Sequence, residues 1–133
     1  MIVFIADTHT AIWYLFNDRR LSPAARSAFE TAIANGNQVG VSSISLAEVV
    51  YLTEKSRIPA ATLENALGVL RDPEQVLTEV PFDSTIAEMM RLVPREDVPD
   101  FPDRIVAATA LKYGVPVISR DGKIRAAKLQ TIW

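Results

Sequence analysis

The chain has 133 residues, a net charge of −2 and 49% hydrophobic residues, which fits one packed domain over residues 1–133 and excludes a disordered polymer. It has no cysteine and one histidine. That excludes a disulfide framework, a cysteine-based zinc or iron–sulfur site, a thiol nucleophile and a histidine-rich metal centre. No apolar run reaches the roughly 18–20 residues that span a bilayer, and Met1–Ala6 lacks the preceding basic region of a signal peptide, so a soluble, cytoplasmic protein with no membrane partner is expected.

Ile2–Ala6 is a short apolar run with β-branched residues, the pattern of a strand buried on both faces. Thr10–Asn17 is helix-like and apolar almost all round. Ser22-Pro23 supplies an N-cap and a first-turn proline for a helix that ends near Asn35-Gly36. Gln38–Ser42 reads as a second strand, followed by helices over Ser45–Ser56 and Ala60–Arg71. Gln75–Val80 is a third strand, and Asp83 caps a helix to Leu92. Val93–Pro102 contains three prolines and is expected to be a loop. Asp103–Tyr113 is a helix stopped by Gly114. Val115–Ser119 is a strand, Gly122–Ala127 a short helix and Gln130–Trp133 a last strand. Short apolar strands alternating with helices imply an open α/β fold with a parallel sheet covered on both faces. In such folds ligands bind beyond the carboxyl ends of the strands.

Acids stand at those ends. Asp7 follows the first strand and Asp121 follows the Val115–Ser119 strand by two residues. Glu48 lies early in the helix after the second strand, and Asp103 opens the helix leading into the Val115 strand. A globule of this length has a radius of gyration of about 14 Å, so the four can converge. Two unit charges 5 Å apart repel by roughly 3 kcal/mol at an effective dielectric near 20, so converging carboxylates either protonate or take a cation. Ligands that are all oxygen suit Mg²⁺ or Mn²⁺, ions that typically serve phosphoryl chemistry. Thr8, Ser45 and Ser119 stand where hydroxyls can orient these carboxylates.

Each acid also has a local reading. Asp7 fits an N-cap. Ser45-Leu46-Ala47-Glu48 fits a capping box with Glu48 at its third position. Asp103 fits a helix-dipole partner, Asp121-Gly122 a turn pair, and His9 a hydrogen-bonding residue at a helix start. Asp100, close to Asp103, is a candidate for an accessory role.

Taken in order, Asp7-Thr8-His9 after a strand, Ser45-Leu46-Ala47-Glu48, the run Asp103-Arg104-Ile105-Val106-Ala107-Ala108-Thr109-Ala110 and Ser119-Arg120-Asp121 resemble the motifs of PIN domains, specifically of the VapC-type toxins of bacterial toxin–antitoxin pairs. The resemblance spans essentially the whole chain. It implies a three-layer α/β/α sandwich with a central parallel sheet, Mg²⁺- or Mn²⁺-dependent endoribonuclease activity, a homodimer, and a cognate VapB-type antitoxin that covers the site. It implies Asp7, Glu48, Asp103 and Asp121 as metal-site acids, with Ser45 and Ser119 as hydroxyl positions. Many relatives read Asp-Pro-Phe-Asp-Arg at the last acid helix, with a histidine two residues earlier. Here the segment is Asp100-Phe101-Pro102-Asp103-Arg104 and the histidine is absent.

An RNA substrate requires local positive charge, because phosphate contacts dominate nucleic-acid affinity. Arg104 and Arg120 adjoin site acids, and the group Arg120, Lys123, Arg125 and Lys128 meets only one acid. In the Ala11–Phe16 helix, Ile12, Leu15 and Phe16 make a core stripe. Trp13 and Tyr14 lie partly outside it, either buried between layers or exposed as a patch for a partner; the resemblance favours the patch. The other function classes weighed are a non-catalytic PIN-like binding module and a small-molecule metal phosphatase. The glycines form neither a P-loop nor a dinucleotide fingerprint.

Overall fold

A computed structural model describes residues 1–126 and 129–133. Five parallel strands, β1 (Ile2–Ala6), β2 (Gln38–Ser42), β3 (Leu77–Val80), β4 (Val117–Ile118) and β5 (Thr131–Ile132), form one sheet in the order β3-β2-β1-β4-β5. The chain builds outward from β1 to one edge, then returns to lay β4 and β5 on the other side. Helices α1 (Thr8–Leu15), α2 (Pro23–Ala34), α3 (Ser43–Glu54) and α4 (Thr62–Leu70) contribute to a core on one face. Helices α5 (Ser84–Met89), α6 (Phe101–Tyr113) and α7 (Gly122–Ala126), with a 3-10 turn over Met90–Leu92, contribute to the core on the other. The expected α/β/α sandwich is therefore present. No helix among the described residues is long and apolar enough to cross a membrane.

Strand alternation sorts the two cores. Ala6 and Ile118 belong to the first core, while Ile5 and Val117 belong to the second, as the two-residue period of a pleated strand requires. Helix ends follow the local chemistry. Ser22 Oγ accepts the Ala25 N–H at 3.1 Å with Pro23 in the first turn of α2. Asp83 Oδ1 accepts the Ile86 N–H at 3.0 Å at the start of α5. Gly114 ends α6 in the left-handed region at φ 65°, where a side chain would be strained.

Beyond shorter limits for β3, β4, β5, α4 and α5, the expected boundaries shift at three helix starts. Helix α1 begins at Thr8 and ends at Leu15, because Asp7 caps it directly after β1. Helix α3 begins at Ser43, two residues early, because Ser42 both ends β2 and caps the helix through the Ile44 N–H. Helix α6 begins at Phe101: Asp100 caps it and Pro102 occupies its first turn, a position that needs no backbone N–H. The proline-rich segment is thus shorter than expected, and Val98 within it is buried. Ala127, the expected end of α7, and Lys128 lie outside the described residues.

Gly40 sets the spacing at the sheet centre. It pairs with Ile5 on β1 and Thr78 on β3. A Cβ there would lie 2.8 Å from Ile5 Cδ1 and 2.8 Å from Val80 Cγ2, inside van der Waals contact. Gly40→Ala is therefore expected to destabilise the protein by about 1–3 kcal/mol through overpacking. Urea denaturation checks this; an unchanged midpoint would mean that Ile5 and Val80 repack freely.

Candidate active site

The switch point of the sheet falls between β1 and β4, where the chain leaves toward opposite faces. Ala6 pairs with Ile118, which makes the next residues, Asp7 and Ser119, neighbours. Ser119 Oγ donates to Asp7 Oδ2 at 2.5 Å, and the Asp7 N–H donates to the Ile118 carbonyl at 3.3 Å. Thr10 Oγ1 also donates to the Ile118 carbonyl, at 2.9 Å. Asp7 Oδ1 accepts the Thr10 N–H at 2.9 Å. Asp7 is thus an N-cap and is also pinned across the switch point, and each carboxylate oxygen retains a lone pair for a further ligand.

The start of α3 lies beside the start of α1. Thr8 Oγ1 is 2.7 Å from Ser45 Oγ and is also hydrogen-bonded to Glu48 Oε1. Thr8 has one hydroxyl proton, and Glu48 as carboxylate can only accept. The arrangement that satisfies all three has Thr8 donating to Glu48 and Ser45 sharing its own proton with Thr8. With Ser42 as the N-cap, Glu48 sits in the second turn of α3 rather than at the third position of a capping box. The capping-box alternative is set aside: Ser45 is turned inward toward Thr8.

The third and fourth acids enter from the other layer. Asp100 Oδ1 accepts the Asp103 N–H at 3.1 Å, which holds Asp103 in the first turn of α6. Ser119 Oγ accepts the Asp121 N–H at 3.0 Å, and Asp121 Oδ1 accepts the Lys123 N–H at 2.8 Å. Ser119, fully buried, so touches both Asp7 and the Asp121 backbone.

These residues meet in one cleft of about 320 Å³, lined by Asp7, Thr8, His9, Trp13, Glu48, Asp100, Asp103, Arg120 and Asp121. All four sequence-predicted acids face it. Among the described residues the two ion pairs are Arg20–Asp18 and Lys112–Asp83, so no cleft acid is paired with a cation. The cost appears in their acidity. Burial, the Asp100 charge and a hydrogen bond with Asp121 push Asp103 from 3.8 up to about 8. Burial raises Glu48 as well, against the Thr8 hydrogen bond that lowers it.

The acids fit a hard divalent cation, since they offer only oxygen donors and none of them is ion-paired among the described residues. Among the described residues no three acids are gathered tightly enough to cage an ion by themselves. A Mg²⁺-type ion asks for less: it keeps several waters and binds through one or two carboxylates plus substrate phosphate.

The cationic and aromatic candidates divide. Arg120 lines the cleft. Arg104 does not: its Nε and Nη2 donate to the Val93 and Met90 carbonyls at 3.1 and 2.9 Å. The Met90 carbonyl already accepts the Val93 N–H at 3.0 Å, and Arg104 adds a side-chain donor to it and to the Val93 carbonyl, so Arg104 ties α6 to the end of that turn and does not line the cleft. Lys123 is exposed and outside the cleft lining, and the Arg125 side chain is outside the described residues. Trp13 is 5% exposed, covered by His9, Trp133, Arg20 and Arg120. Tyr14 is half-buried and stacks on Phe29 at 4.1 Å. The exposed aromatic patch expected from these two is therefore absent, and α1 is a helix buried between layers, with Phe16 rather than Trp13 turned outward. Trp13 as a cleft wall was missed; only its neighbour His9, adjoining Asp7 and Thr8, hinted at it.

Fold and site define a doubly wound parallel domain with a carboxylate-rich cleft at its switch point. The sequence matches the PIN domain family over residues 4–129, and the chain belongs to that family. It is 28% identical over 136 residues to Ribonuclease VapC22 of Mycobacterium tuberculosis, covering 100% of both chains. In fold it is similar to VapBC2 from Rickettsia felis bound to a promoter DNA fragment, with a TM-score of 0.71, 16% identity and 98% and 97% of the two chains covered. It is also similar to Mycobacterium tuberculosis VapC20, a sarcin-ricin loop cleaving toxin, with a TM-score of 0.65, 17% identity and 95% of each chain covered.

The acid cluster makes stability depend on pH. Folded Asp103 holds its proton to about pH 8 while an unfolded aspartate releases it near 3.8. Between these values the folded state binds more protons, so its contribution is full below 3.8 and lost as pH rises toward 8. In EDTA, Asp103→Asn is expected to raise Tm relative to wild type more at pH 8 than at pH 5. An equal difference at both would place Asp103 in the ordinary carboxylate range.

Proposed function

We propose that this chain is a Mg²⁺- or Mn²⁺-dependent endoribonuclease, the toxin of a toxin–antitoxin pair. The observation that carries the reading is the convergence of Asp7, Glu48, Asp103 and Asp121, from four separate segments, on one cleft in which, among the described residues, none of them forms an ion pair. Full-length similarity to a protein named as a ribonuclease supports the substrate class. Similarity in fold to toxin–antitoxin complexes supports a VapB-type antitoxin as partner, and the homodimer implied by the resemblance is part of the same proposal.

A divalent ion held by these acids supplies Lewis acidity toward phosphate and a water of lowered pKa. The chain's own residues do the rest. Ser119 and the Thr10 N–H fix the Asp7 carboxylate in one orientation. Thr8, steadied by Ser45, does the same for Glu48. Asp103, its pKa held up by burial and by the neighbouring Asp100 and Asp121, keeps its proton near neutral pH, and as a carboxylate it would be one of the groups to hold the ion. Arg120 offers a guanidinium at the cleft wall to the phosphates of an RNA strand.

The direct test is cleavage of a structured RNA with Mg²⁺ or Mn²⁺. Cleavage is expected to cease in EDTA and in Asp7→Asn. Activity that survives both belongs to another site or a contaminant, and turnover of a chromogenic phosphomonoester without RNA cleavage would identify a phosphatase. Binding of RNA with neither cleavage nor Mn²⁺-induced stabilisation would identify an inert binding module. Ser119→Ala removes the hydroxyl that orients Asp7 and is expected to cost roughly 10–100-fold in metal affinity or rate. Calorimetry with Mn²⁺ and initial rates on the same RNA measure it; full affinity and rate would show that Thr10 alone orients Asp7.

A further inference from the structure

Arg120 poses a problem that the cleft does not solve by charge alone. Its guanidinium lines the same space as Asp7, Asp103 and Asp121, on a long flexible stem. The default for such a group is to fold onto the carboxylates and become their counter-ion. Among the described residues it makes no ion pair with any of them. It lies instead over the Trp13 ring, 4.7 Å from the centroid. Both neighbours of Arg120 are pinned, since Ser119 Oγ holds the Asp121 N–H and donates to Asp7. The direction of the side chain is thus set by what it stacks on. The Trp13 ring is itself braced: Trp133 packs at 5.7 Å, and Arg20 lies 5.1 Å over it. Arg20 is differently occupied, because Asp18 grips it through Nε and Nη2 at 3.0 and 2.8 Å.

We propose that Trp13 is a positioning residue that holds Arg120 against the cleft wall, so that the carboxylates stay open to a cation and the guanidinium stays open to the RNA backbone. This rests on the metal-dependent nuclease reading. A planar, weakly hydrated guanidinium suits an aromatic face, whereas an ammonium is a compact, strongly hydrated charge. Once the ring is gone, Arg120 falls inward and competes with the metal.

The test uses the full chain and Mn²⁺ calorimetry, with RNA binding in EDTA followed by the anisotropy of a labelled structured RNA across a salt series. Trp13→Leu is expected to weaken Mn²⁺ binding about tenfold, within the range seen when groups behind a metal site are removed. Adding Arg120→Gln to Trp13→Leu is expected to restore Mn²⁺ binding, because the internal competitor is gone. Arg120→Gln alone keeps wild-type Mn²⁺ binding and reduces the salt slope of RNA binding by about one. Unchanged Mn²⁺ affinity in Trp13→Leu, or a double variant that stays weak, overturns the proposal, the second by showing a merely structural loss. If Trp13→Leu does not fold, Arg120→Lys against Arg120→Gln decides: the lysine variant is expected to bind Mn²⁺ more weakly, and equal binding overturns the proposal. A wild-type protein that neither binds Mn²⁺ nor cleaves RNA removes the nuclease reading and this inference together. One that does both, with variants that fail to separate, removes the inference alone.

Discussion

Gathering like charge at the mouth of a parallel sheet is unfavourable, and much of the local architecture around the cleft follows from meeting that cost. Four carboxylates and Asp100 stand on segments leaving β1, β2, β4 and the loop before α6. Main-chain N–H groups meet part of the cost. Thr10, Asp103 and Lys123 donate to Asp7, Asp100 and Asp121, respectively. Proton retention meets another part, in the raised pKa values of Asp103 and Glu48. What is left uncompensated is the capacity to take a cation.

The hydroxyls matter because they join elements that are far apart in sequence. Ser119 bridges β4 to Asp7 at the end of β1, and Thr8 bridges α1 to Ser45 and Glu48 on α3. Each is nearly or fully buried, where an unmet polar group is costly, and no buried side-chain donor or acceptor among the described residues lacks a partner. Local folding of α1, α3 and the turn after β4 is therefore coupled through the same atoms that orient the carboxylates.

Sequence reasoning located what local patterns encode. Two strands, β1 and β2, have the expected limits, and the caps Ser22, Asp83 and Gly114 fall where expected. The four acids converge because chain order and strand polarity place them at one sheet edge. Misplaced features depend on contacts far apart in sequence. Trp13 could not be assigned from periodicity, since α1 is apolar on nearly every side and its cover comes from Arg120 and Trp133. Arg104 adjoins a site acid in sequence, yet carbonyls of a 3-10 turn claim it. The start of α3, expected at Ser45, lies two residues earlier because Ser42 is an equally suitable cap, and Ser45 is drawn to Thr8 instead.

The double use of Asp7 has a consequence for how such domains diverge. Its Oδ1 holds the first turn of α1 while Oδ2 meets Ser119. Asparagine caps a helix about as well as aspartate, and a serine hydroxyl can turn to accept from the new amide. Exchanging one oxygen for an NH₂ thus removes a negative charge while sparing the fold. On the proposed role of Asp7, an inert descendant, still able to occupy a partner, lies one substitution away from an active chain.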